Sequence, residues 1–87
     1  MNSFDEFSEA LYVAKTCMEV RFGDLKKRRS EMIKCLRVGV PGSAECVDRY
    51  DKELRDIASS IIAIYRHLDF CEVCYEEYLE YLSNSVE

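Results

Sequence analysis

Proline, glycine, histidine and tryptophan are scarce in this sequence. Its 87 residues include one proline, three glycines, one histidine and no tryptophan. Pro41 stands between Gly39 and Gly42, which concentrates the turn chemistry in one place and leaves no second linker and no internal repeat. No apolar run approaches the ~18 residues needed to cross a bilayer. There is no glycine-rich phosphate loop, and no serine or cysteine nucleophile has a credible base beside it. The lone His67 falls in a helical pattern that offers no cleft, so neither catalysis nor a bound cofactor is expected. The opening residues Met1 to Glu6 show neither a basic-then-apolar signal nor an Arg-rich transit segment, so an intracellular, cytoplasmic setting is expected.

Hydrophobic residues make up 48% of the chain and charged residues 33%, enough of each for one small folded domain spanning 1–87. The net charge of −5 argues against nucleic acid as the main partner. The charges are also polarised. Arg21, Lys26, Lys27, Arg28, Arg29, Lys34 and Arg37 cluster in the first half. Asp5, Glu6 and Glu9 lie near one terminus, and Glu72, Glu76, Glu77, Glu80 and Glu87 near the other.

Val47, Tyr50, Leu54, Ile57, Ile61, Ile64, Leu68, Cys71, Tyr75, Tyr78 and Leu82 follow one another at alternating steps of three and four. That is a heptad seam without Pro or Gly, a rod of roughly 55 Å from Val47 to Leu82, and it predicts one helix over about 43–84. Phe4, Phe7, Leu11, Ala14, Met18, Phe22, Leu25, Met32 and Leu36 predict an earlier helix over about 3–38. Arg29 interrupts its stripe, and the helix either continues through Gly23 or breaks there. Ser3 and Ser43 are the expected caps, with 39–43 as the turn. A connection that short makes the fold an all-α antiparallel helical hairpin with coiled-coil-like packing. In one constant register Phe4 faces Tyr78, Phe7 faces Tyr75, Leu11 faces Cys71, Ala14 faces Leu68 and Met18 faces Ile64.

Around Ile57 to Tyr65 and Ala10 to Ala14 the residues are apolar or small nearly all round. A two-helix hairpin covers one stripe of each helix, so Tyr12, Val13, Ile62 and Tyr65 form a belt awaiting a further contact. A dimer or partner covers it, or a broken first helix folds over it. At the open end, Tyr78 and Tyr81 stand among Glu76, Glu77 and Glu80, an arrangement suited to a partner with a basic surface.

Three clusters carry candidate chemistry. Cys35 and Cys46 flank the turn at equivalent positions, so a disulfide between them is geometrically open; the alternative is two reduced, buried thiols. From Lys34 to Leu36 and from Cys46 to Asp48, this arrangement is similar to the inner cystine of the twin-cysteine helical-hairpin proteins of the mitochondrial intermembrane space. That resemblance implies a stapled mitochondrial complex subunit, although Leu25 and Asp56 stand where the outer cysteines would be. His67, Cys71 and Cys74 make H-x3-C-x2-C, but on a straight helix the three rise roughly 10 Å, too far for one zinc ion. Within one long helix the C-x-x-C also lacks a helix N-terminus to depress a thiol pKa, so a redox role is not expected. Lys26 to Arg29 is a basic run that either meets nucleic acid or is offset by Asp51, Glu53 and Asp56 across the hairpin. The expected function is a non-enzymatic protein–protein interaction module: an accessory subunit, adaptor or small inhibitor, as a homodimer or within a larger complex. A nucleic-acid-associated hairpin dimer and the disulfide-stapled mitochondrial subunit are the alternatives.

Overall fold

Helix α1 runs from Ser3 to Arg37 and α2 from Ser43 to His67. A 3-10 turn, Glu72–Tyr75, leads directly into α3, Glu76–Asn84. The computed structural model describes the backbone of residues 3–84 and the side chains of residues 6–83. The expected capping by the Ser3 side chain, the Phe4–Tyr78 pair and the charges of Asp5 and Glu87 lie outside the described residues. Helices α1 and α2 pack antiparallel as an all-α hairpin. Gly23 does not break α1; it is exposed within the helix, with open space around its Cα.

The hairpin turns as its sequence requires. Gly39 takes the left-handed conformation at φ 81°, which costs glycine nothing. Its N–H donates to the Leu36 carbonyl at 3.1 Å, and the Val40 N–H donates to the Cys35 carbonyl at 3.0 Å. Those two bonds form a complete Schellman motif, satisfying carbonyls that the end of α1 would otherwise leave open. Ser43 does not cap α2. Gly42, at φ 83°, holds the cap position, while the buried Ser43 hydroxyl donates back to the Val40 carbonyl at 2.7 Å and tightens the turn.

The second helix is shorter than the expected 43–84, because the chain turns after His67. Asp69 adopts φ 64°. The Asp69 N–H donates to the Arg66 carbonyl at 3.1 Å and the Phe70 N–H to the Tyr65 carbonyl at 3.0 Å, the same motif as at Gly39. The apolar contact that accompanies such a motif is here Phe70 edge-on to Tyr65, with ring centroids 5.1 Å apart. Aspartate tolerates the left-handed region better than most residues, so a helix end forms without glycine. The pairing of Phe7 with Tyr75 is lost; Phe7 packs instead on His67 at 5.5 Å. Cys71, expected in the seam, is exposed.

Beyond that turn α3 folds back along α2 and lays its tyrosines toward α1. The core joins Phe22 and Leu25 of α1, Leu54, Ala58, Ile61, Ile62 and Tyr65 of α2, Tyr75 of the 3-10 turn and Tyr78 of α3. The apolar waist of α2 is therefore covered from within the chain, by the C-terminal segment and not by a broken α1. Leu79 and Leu82 pack against the core cluster that contains Ile62, which is 4% exposed. Each such large side chain contributes roughly 1.5–3 kcal/mol when fully buried, which repays the folding back of a short helix. Where both helices persist they run side by side: Arg29 meets Asp51, and Lys15 and Glu19 meet Tyr65. Among the described residues no helix is long and apolar enough to cross a membrane.

Candidate functional site

The joint of the three helices is a polar cluster inside an aromatic wall. Glu19 of α1 accepts hydrogen bonds from the Tyr65 hydroxyl, from the Tyr78 hydroxyl at 3.4 Å and from the Lys15 ammonium at 3.0 Å. Lys15 is only 6% exposed, and its ammonium stands 4.6 Å from the Tyr12 ring centroid, 4.9 Å from Tyr65 and 5.9 Å from Phe70. That is a cation–π enclosure, completed by the Glu19 carboxylate. Burial pushes the Glu19 pKa up, but the hydrogen bonds from Tyr65 and Lys15, the Lys15 charge and the Tyr78 hydrogen bond outweigh it and hold the carboxyl below its usual range. Burial and Glu19 raise Tyr65 well above the ordinary phenol range and push Tyr78 up to about 12. At neutral pH the cluster holds an ionised carboxylate, a cation and two neutral phenols. A carboxylate of lowered pKa is a poor general base, so the group acts as a clamp that ties α3 to α1 through Tyr78.

A second tie lies nearer the hairpin turn, one turn further along α3. Arg29, which interrupts the apolar stripe of α1, donates to Asp51 of α2 at 2.5 Å, and the Tyr81 hydroxyl donates to the same carboxylate oxygen at 3.2 Å. Phe22 lies edge-on to both Tyr78 and Tyr81, at 5.0 and 5.6 Å. Arg21 reaches Glu53 at 3.7 Å, Arg28 reaches Asp24 at 3.0 Å, and Lys26 reaches Glu77 at 3.2 Å. Most of the basic run is thereby spent on carboxylates of its own chain.

The expected contact residues divide. Ile62, Tyr65 and Tyr78 are core, because α3 covers the waist; they are corrected from contact surface to interior. Tyr81 is half-buried on Asp51 and Phe22. Glu76 and Glu80 are exposed, whereas Glu77, also exposed, pairs with Lys26. The acids of α3 therefore run beside the basic segment of α1 and do not gather with Glu6 and Glu9 at an open tip. Tyr12 and Val13 stay exposed at 53% and 58%. Val13 belongs to a row that the sequence reasoning missed: Ala10, Val13, Cys17 and Val20 step by three and four along the side of α1 turned away from α2. All four are exposed, Val20 at 70%. The signal was available in the spacing, but the inner stripe of the same helix masked it. Lys15 and Glu19 were missed as well; the only hint was the number of tyrosines whose hydroxyls needed partners.

Cys35 and Cys46 are half-buried free thiols, and Arg49 donates to the Cys46 sulfur at 3.4 Å. His67 faces Phe7, and among the described residues no three of His, Cys, Asp or Glu are grouped as metal ligands. Cys71 and Cys74 do meet: their sulfurs are 3.6 Å apart, on the surface. The pair lies where the third helical segment begins, not in the middle of α2, because α2 stops at His67. No protein-family model, curated protein or solved structure matches the chain.

Proposed function

We propose that the protein is a non-enzymatic protein–protein interaction module that presents the outward face of α1 to another helix. The carrying observation is the exposed row Ala10, Val13, Cys17 and Val20. Steps of three and four suit knobs-into-holes contact with a helix, and small residues at two of the four positions let a partner approach closely. Tyr12 flanks the row and offers a rigid amphipathic edge, as contact anchors commonly do. The internal polar groups support this reading, since Glu19, Lys15 and Arg29 are engaged in holding the fold together. A nucleic-acid role for residues 26–29 draws less support, because Lys26, Arg28 and Arg29 each already hold a carboxylate.

The simplest partner is a second copy, which would lay the same row against itself in a homodimer. Sedimentation equilibrium tests this directly. The wild-type chain is expected to sediment as a dimer, and V13E/V20E as a folded monomer with unchanged helical circular dichroism. A wild type that stays monomeric at high concentration rules out self-association. A foreign helical partner is then the remaining form of the proposal, and the same double substitution should abolish its binding.

A further inference from the structure

We propose that Cys71 and Cys74 form a reversible dithiol–disulfide couple that exchanges with external disulfides. Three observations meet at this turn. The two sulfurs touch at 3.6 Å. Both residues are exposed, so an oxidant reaches them without unfolding the chain. The backbone already closes the loop, with the Cys74 N–H donating to the Cys71 carbonyl at 3.0 Å. A disulfide needs a sulfur separation near ~2.05 Å, which side-chain rotation and a small backbone adjustment can supply here. The other cysteines are placed differently: Cys17 stands on the outer face of α1, and Cys35 and Cys46 are half-buried near the far turn.

The substrate class is a small-molecule or protein disulfide, RSSR. The Cys71 thiolate attacks one sulfur, the S–S bond breaks, and RS⁻ leaves and takes up a proton. The resulting mixed disulfide on Cys71 is then attacked by the Cys74 thiolate, which expels the second RS⁻. Two cysteine thiols lose two electrons and two protons, and RSSR gains both to become two RSH. Cys71, in extended backbone just before the 3-10 turn, takes the attacking role; Cys74, inside the turn and with its pKa raised by its hydrogen bond with Cys71 and by burial, takes the resolving role. Oxidation staples the first turn of the segment that carries Tyr75 and Tyr78, which places a redox-set constraint at the root of α3.

The test uses the reduced 87-residue chain in glutathione buffers of rising oxidised fraction, quenched with acid, alkylated and read by peptide mass spectrometry. A Cys71–Cys74 disulfide is expected to appear first, at least roughly tenfold ahead of glutathione adducts on Cys17, Cys35 or Cys46, because proximity makes its closing step intramolecular. Cys74→Ser should stop at a glutathione adduct on Cys71. Separate glutathione adducts on Cys71 and Cys74 with no internal bond would overturn the proposal, as would cross-linking of either residue to a different cysteine.

Discussion

The two ends of this rod are built from the same pair of helices and hold together differently. Near the turn the fold is two layers thick, and Leu36 and Val40 remain 41% and 47% exposed. Toward the other end α3 adds a third layer, and Leu54, Ala58 and Ile61 reach complete burial. The breadth of the apolar arc along α2 follows this change. Ser43 and Val47 form a narrow stripe near the turn, while Leu54, Ala58, Ile61, Ile62 and Tyr65 wrap much further around the helix and join the core with α3. A helix that widens its apolar face partway along reports a change in the number of neighbours, and that is a more local signal than the heptad count.

The sharpest way to break this contrast is a matched pair of truncations. Ile61→Ala in the three-layer region should cost about 2–5 kcal/mol, whereas Leu36→Ala near the turn should cost well under about 2 kcal/mol. Urea denaturation of the two variants checks it, and equal losses would mean the layers do not differ.

The pH dependence should also belong to the three-layer end. Tyr78 has a folded pKa raised to about 12 from an ordinary value of 10.0, so its contribution is fully present below pH 10 and is lost as pH rises toward 12. Tyr65 shifts in the same direction. Glu19 has a lowered folded pKa, so its contribution is present above the ordinary value of 4.5 and is lost as pH falls below it. Phenolate absorbance and helical circular dichroism followed together should show these tyrosines ionising as the fold melts. In Glu19→Gln the loss of stability on acidification should be smaller.

The two Schellman turns give a smaller and opposite pair of effects. Gly39→Ala puts a side chain at φ 81° and should cost about 1 kcal/mol, while Asp69→Gly relieves φ 64° and should add up to about 1 kcal/mol. Thermal melts read both. The least effect belongs to Glu77→Gln, whose partner Lys26 is well exposed; a change below about 1 kcal/mol, fading with added salt, is expected.

Legibility followed the same lines. The turn at residues 39–43 and the offset of Arg29 by Asp51 could be read because each rests on local chemistry or on a fixed register, whereas the sequence left continuity at Gly23 open. The end of α2 could not. Leu68, Cys71, Tyr75, Tyr78 and Leu82 keep heptad spacing straight through the break, since a helix folded back on the core needs an inward stripe as much as one that continues. The stop signal was Asp69 doing what Gly39 does, and aspartate at that position has no unique pattern. Lys15 was invisible for a different reason: only tertiary packing surrounds it with Tyr12, Tyr65 and Phe70.

The length of α1 has a hydrodynamic consequence. The molecule measures 56 × 23 × 15 Å, with a radius of gyration of 15.7 Å. A compact domain of the same length would have about 12 Å. Friction grows with elongation, so a single chain should leave a gel-filtration column early, at the position of a considerably heavier sphere. An elution volume alone would then imitate a dimer, and the number of chains in solution has to be counted by mass.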